Sequence, residues 1–173
     1  RSILSLLKRA KHLIAYPEET FKLLQLMTGP IIGSVEYTRF IIVSRSRSGS
    51  NLLRCMLNSH PNIHCEEEIF NRLAGRTTDS ILRKVFRKYP KSIKAVGFKI
   101  FYYHPLDDPS AKVWKRLREM PGLKVIHLVR RDLLAVLVSR AIADITGKWA
   151  SRKKTTSDRL VRLTLSPDDL ERK

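Results

Sequence analysis

Cysteine is nearly missing. Cys55 and Cys65 are the two in 173 residues, too few for the disulfide framework of a small secreted domain. Long apolar runs are missing as well. No stretch reaches the roughly 18 residues that a membrane span requires, and no leader with a cleavage site is visible. Acidic residues are scarce: 16 Asp+Glu stand against 34 Lys+Arg, for a formal net charge of +18. The five histidines, at 12, 60, 64, 104 and 127, are read as no metal-ligand cluster, so no metal is expected. What is left is a globular chain, 43% hydrophobic and 29% charged, long enough for one domain with its own core. Its charge points to an anionic partner: nucleic acid, an acidic membrane surface, an acidic polymer or a phosphate-rich ligand. Because the chain starts at Arg1 rather than Met, a trimmed anchor before it and missing residues after it both stay open.

Residues 2–14 are amphipathic at helical spacing, with Ile3, Leu6, Leu7, Leu13 and Ile14 on the apolar side, and Pro17 opens a second short helix with acidic residues in its first turn. This segment, 1–38, reads as a helical pair packed on the domain; a helix lying on a membrane surface is the second reading. Short apolar, β-branched runs at 39–44, 94–103 and 123–129 read as strands, with a shorter one at 63–65. Helical patterns follow at 50–58, 78–89, 109–120 and 132–145, with a helical start at 66–73. Leu52, Leu53, Met56 and Leu57 are expected to face inward, and Cys55 to be a small buried apolar residue. Thr78 or Asp79 reads as a helix cap, Asp132 as a helix start and Gly147 as a stop. The core is expected over 39–150, and 151–173 reads as a basic, incomplete C-terminal segment. Strands alternating with helices imply an α/β, P-loop-like three-layer fold: a mostly parallel central sheet flanked by helices. Ligands of such sheets bind outside the carboxyl ends of the strands.

Two strand-to-helix turns therefore stand out. The first is Arg45-Ser46-Arg47-Ser48-Gly49-Ser50. Gly49 lets the backbone approach a ligand closely, the amides of Gly49, Ser50 and Asn51 would meet an anion at a helix N-terminus, Ser48 adds a donor, and Arg47 adds a fixed charge. The GxxxxGK[ST] spacing of a triphosphate loop is absent, which counts against a P-loop kinase. The second turn carries Arg130-Arg131-Asp132, with Ser139 two helical turns further on. Taken alone, such arginines are usually surface charges.

RSGSNLL at 47–53, HPNIHCEEEIF at 60–70, GFK at 97–99 and HLVRRDLLAVLVSRAIADITGKW at 127–149, in this order, resemble the sulfotransferases that use 3′-phosphoadenosine 5′-phosphosulfate, and most of all their bacterial trehalose-type, carbohydrate-acting branch. The resemblance spans roughly 39–149. It implies a donor co-substrate and no metal. It implies that Arg47, Ser48, Gly49, Ser50 and Asn51 surround the 5′-phosphosulfate, and that Arg131 and Ser139 hold the 3′-phosphate. The acceptor it implies is a hydroxyl of a carbohydrate or glycolipid, and its relatives suggest a homodimer. The second turn reads Arg131-Asp132-Leu133, without the proline of many relatives, which agrees with the trehalose-type branch. Relatives also continue further, with a segment that closes over adenine.

Sulfuryl transfer is an in-line displacement, so the protein mainly positions groups and offsets charge. It needs a base for the acceptor proton and a cation for the bridging oxygen. The resemblance assigns the cation to Arg47 and the base to Glu68, in CEEEIF. Glu66 and Glu67 compete for the second role, Glu67 also as a substrate contact, and His64 is a weaker competitor; a solvated, acid-rich helix start is the alternative reading, and it suits Glu66 and Glu67 better than Glu68. Lys99 interrupts an apolar strand, and a buried ammonium needs an anion. It is expected to face the donor or acceptor site, with a solvent-facing edge strand as the alternative. Trp149 would stack on a ring or pack in the core. The competing functional class is a basic nucleic-acid-binding protein, but the basic residues are not interleaved with aromatics in any recognisable binding motif, so no nucleic-acid partner is expected. Bacterial cytoplasm is the favoured location, with a luminal enzyme that has lost its anchor as the alternative.

Overall fold

A computed structural model describes residues 33–147. The two N-terminal helical patterns, Trp149 and the basic stretch after 150 lie outside the described residues. Eight elements alternate: β1 Thr38–Ser44, α1 Ser50–Ser59, β2 Ile63–Glu66, α2 Thr78–Val85, β3 Ala95–Phe101, α3 Lys112–Arg118, β4 Lys124–Leu128 and α4 Leu133–Thr146. The strands form one sheet in the order β2-β3-β1-β4, and every pairing is parallel. This is the expected α/β architecture, with β1 and β3 at its centre.

Alternation along the strands divides the core. Ile41, Val43, Val96, Phe98 and Ile100 pack with Ile81, Leu82 and Val85 of α2 and with Val113 and Leu117 of α3. Phe40, Ile42 and Cys65 meet Leu53 and Leu57 of α1. Strand side chains point to alternate faces, so α1 covers one face and α2 and α3 the other. Register then selects what shares the α1 face with the loop after β1: Phe40 lies beside Gly97, Ile42 beside Lys99 and Ser44 beside Phe101.

Gly97 is where helix, strand and loop can close together. A Cβ there would come within 2.6 Å of the Phe40 ring and closer still to the Phe40 carbonyl oxygen. Backbone cannot yield as a flexible side chain can. Gly97→Ala should therefore lower stability by about 3 kcal/mol, the upper part of the usual overpacking range, read as a shift of the urea midpoint with an unchanged slope.

Some expectations are corrected. Residues 66–73 form no helix beyond the end of β2; the carboxylate of Asp107 accepts the backbone N–H groups of Leu73 and Ala74, each at 2.8 Å, and so holds the segment as a loop. Helix α2 is capped by Thr77, not Thr78 or Asp79, and ends at Val85; Tyr89 instead bridges to Ser34. Helix α1 buries only one arc. Leu53 and Leu57 pack on the sheet, whereas Leu52 and Met56 are 67% and 62% exposed. Cys55, on that outer arc, is exposed too. A short helix on a sheet has one apolar stripe, and these residues lie outside it. Asp132 caps α4 through Ala135 N–H, and Gly147 ends it in the left-handed region, both as read from the sequence.

Candidate functional site

The turn after β1 leads into α1 through Gly49, whose φ of 92° is left-handed, and no side chain caps the helix. The first N–H groups of a helix have no partner within it, so the amides at this end are free of any side-chain acceptor from the cap residue and carry the positive end of the helix dipole. The Ser48 hydroxyl donates to the Arg45 carbonyl at 2.7 Å, which tightens the turn. Arg47 has φ 65°, a conformation costing a non-glycine residue about 1–3 kcal/mol. It is held from outside the turn. Its Nε donates to Ser139 Oγ on α4 at 2.8 Å, and Arg130 donates to its carbonyl at 3.3 Å. The two strand-to-helix turns, distant in sequence, are thus joined because β1 and β4 are neighbours.

The second cluster descends from β3. Lys99 is 2% exposed. Its ammonium donates to Asn51 Oδ1 at the start of α1, pairs with Glu68 Oε1 at 2.8 Å, and lies 5.2 Å from the centre of the Phe101 ring. Burying an ammonium is costly unless it is paired and hydrogen-bonded, and here both conditions hold. His104 is 3% exposed. Burial, ahead of the neighbouring Lys99, keeps its imidazole below the usual histidine range despite Glu68 nearby, so the ring is neutral at neutral pH.

Both clusters open into one cavity of about 620 Å³. Its wall includes Arg47, Gly49, Ser50, Asn51, Glu68, Lys99, His104, Arg130 and Ser139. Three fixed cations face one carboxylate, Glu68, and that excess together with the helix N-terminus suits a polyanionic ligand. Adding a Cβ at Gly49 would meet no atom within 4 Å, so the turn faces open space.

The three consecutive glutamates separate by partner. Glu66 pairs with His64 at 3.0 Å, and that hydrogen bond, more than any other influence, holds its carboxyl below the usual range. Glu67 pairs with Arg54 at 2.8 Å and is 69% exposed. Glu68 alone of the three lies on the cavity wall. Arg131 is exposed and outside that wall, and its neighbour Arg130 is on it. Lys99 is on a central strand rather than a solvent-facing edge. Sequence reading missed His104; its position just beyond the carboxyl end of β3 was the available signal. His60 and His64 have the four-residue spacing of a helical ligand pair, but α1 ends at Ser59 and β2 starts at Ile63, so they share no helix face. Among the described residues, no group of three or more His, Cys, Asp or Glu could hold a metal ion, and no helix is long and apolar enough to cross a membrane.

Comparison with known proteins gives a consistent set of relatives. The chain is 30% identical over 131 residues to nodulation protein H of Rhizobium meliloti strain 1021, covering 68% of this chain and 52% of that protein. It is 32% identical over 126 residues to nodulation protein H of Rhizobium tropici, covering 64% of this chain and 48% of that one. The chain spans about half the length of the curated relatives it matches. No family model matches it, and no solved structure matches it.

Proposed function

On the premise that the chain is kin to the nodulation protein H proteins, a sulfotransferase family, we propose that it binds 3′-phosphoadenosine 5′-phosphosulfate in the cavity between β1, β3 and β4 and sulfates a hydroxyl of a carbohydrate or glycolipid. The observation that carries the reading is the convergence of Arg47, Lys99 and Arg130 with Glu68 on that one cavity. When bound, the donor supplies the sulfuryl group.

Each residue then has a task. The amides of Gly49, Ser50 and Asn51 hold the 5′ phosphate end, and Ser48, whose hydroxyl is given to the Arg45 carbonyl, shapes the turn that presents them. Ser139 and Arg131 hold the 3′-phosphate, Arg131 by reaching in from the second turn, and Arg130 adds charge beside them. Arg47 offsets negative charge growing on the leaving oxygen. Glu68 accepts the proton of the attacking hydroxyl while the new O–S bond forms and the old one breaks. Lys99 fixes the Glu68 carboxylate and the Asn51 side chain in one place, which is the positioning such a displacement depends on. His104, neutral and buried, closes the back of the site against water. Transfer of this kind is a matter of alignment and charge, so the residues need no metal to do these tasks. Kinship with bacterial proteins favours a cytoplasmic location, and the trehalose-type branch favours a homodimer.

The test is calorimetric titration with the product, 3′,5′-bisphosphoadenosine. Binding near 1 µM, about −8 kcal/mol, is expected for the wild-type chain, weakened about 10-fold or more by Arg47→Ala, since charge-assisted hydrogen bonds are the stronger class. A folded chain that takes up no bisphosphate at about 1 mM, equivalent to about −4 kcal/mol, would refute the reading.

A further inference from the structure

A second cavity, of about 830 Å³, lies on the other side of Glu68. Its wall includes Glu68, Ile69, Ile81, Val85, Arg72 and Lys84. Glu68 and Asn71 line both cavities. The group proposed to take the acceptor proton is therefore reachable from a space that the donor does not fill.

The chemistry of that space is uneven. Ile81 and Val85, 4% and 5% exposed, give it an apolar floor from α2. Four cations stand around it: Arg72, Arg76, Lys84 and Arg87. Its two carboxylates are already engaged, Glu66 with His64 and Glu68 with Lys99. Among the described residues, no ion pair with a carboxylate holds any of the four cations. Two of them are nevertheless fixed. Arg76 donates to the carbonyls of Leu73 and Arg72 at 2.9 and 3.2 Å, and Arg87 lies 5.2 Å from the centre of the Tyr89 ring. Asp107, whose carboxyl feels the Arg72 charge only weakly, has its carboxylate turned to the backbone N–H groups of Leu73 and Ala74. Four cations against two engaged carboxylates leave this space with a positive excess that a neutral sugar would not use. An apolar floor beneath a cationic rim fits a sugar ring that carries a negative group.

We propose that this cavity is the acceptor site and that it selects an anionic sugar, one bearing a carboxylate, phosphate or sulfate ester close to the hydroxyl that is sulfated. The inference rests on the sulfotransferase reading and adds the substrate class to it. The sugar ring lies on Ile69, Ile81 and Val85, its anionic group faces Arg72 and Lys84, and its hydroxyl reaches Glu68. The same charge raises the rate at which an anionic acceptor finds the cleft and makes that rate fall with salt.

The experiment is calorimetry on the full chain saturated with 3′,5′-bisphosphoadenosine. Three probes are titrated: neutral trehalose, trehalose carrying a 6-phosphate, and a disaccharide containing a uronic acid. Arg72→Gln/Lys84→Gln is measured beside the wild type; both side chains are exposed or on the cavity rim, so the fold is kept. The expected result is about 10- to 100-fold tighter binding of both anionic probes, from one or two charge-assisted contacts. In the double variant that preference should fall to about 3-fold or less, with bisphosphate affinity unchanged. Tightening by phosphate alone would narrow the anion to a phosphate ester, and tightening by the uronic acid alone to a carboxylate, each in support. Equal or tighter binding of trehalose, no binding of either anionic probe, or a preference intact in the double variant would overturn the inference while bisphosphate binding left the sulfotransferase reading standing. Failure to bind bisphosphate would overturn both.

Discussion

Glu68→Gln should lower kcat by about 10²- to 10⁴-fold, the usual contribution of a positioned general base, while bisphosphate binds as in the wild type. The substitution keeps the shape of the side chain and removes its capacity to take a proton. Each of the three adjacent glutamates has a cationic or imidazole partner, at 2.8 to 3.0 Å, so ion pairing does not distinguish them. Position does. Glu67 faces Arg54 on the outside, Glu66 lines the second cavity, and Glu68 lines both cavities. Glu67→Gln is the control and should stay within about 3-fold of wild type, because an exposed ion pair contributes about 1 kcal/mol or less. Initial rates with saturating donor, together with bisphosphate titration, separate loss of chemistry from loss of binding. A Glu68→Gln enzyme that kept more than about a tenth of wild-type kcat would remove Glu68 from the role of base, and a collapse in Glu66→Gln instead would move that role two residues back.

Lys99→Met should have the second-largest effect. Methionine replaces the apolar stem and deletes the ammonium, and with it the contacts to Asn51 and Glu68. Breaking a fully buried pair costs about 3–5 kcal/mol because one charge is left uncompensated. Here the side chain of Glu68 is 29% exposed, so water can reach it, and the loss of stability should be nearer 1–2 kcal/mol, within the range of a lost charged hydrogen bond. Activity should suffer more. The carboxylate of Glu68 and the side chain of Asn51, the second residue after the helix cap, lose their common anchor, and misplacement of about 1 Å can cost about 10²-fold in rate. One cation also leaves the cavity proposed for the donor, so bisphosphate should bind about 10-fold more weakly. Urea unfolding and calorimetry on the same preparation test both parts. A variant with wild-type rate and affinity, destabilised only, would show Lys99 to be a structural strand residue.

Much of this was legible in the sequence because it depends on short-range chemistry. The β-branched runs, the Gly49 turn, the Asp132 cap and the Gly147 stop act within a few residues of themselves, and each appears where the pattern put it. The resemblance of 47–53 and 127–149 to sulfotransferases also rests on contiguous residues. Errors arose where a distant group decided a local question. The acidic start of 66–73 has helical character, but Asp107, more than 30 residues away, takes the N–H groups that a helix would have used. Leu52, Met56 and Cys55 belong to an apolar helix with only one face to bury. Arg130 and Arg131 are indistinguishable as letters, and only their placement at the end of β4 turns Arg130 toward Arg47.

The sequence by itself determined the alternation of strands and helices, the glycine turn after β1, the strong positive charge and the residue types that the proposed sulfuryl transfer draws on. The tertiary structure decided which of them meet. Asn51 and Lys99 are 48 residues apart and Arg47 and Ser139 are 92 apart; no local periodicity encodes either contact. They form because parallel pairing puts β1 between β3 and β4, brings the carboxyl ends of the three strands to one edge, and lets that edge gather the charges that the chain had kept far apart.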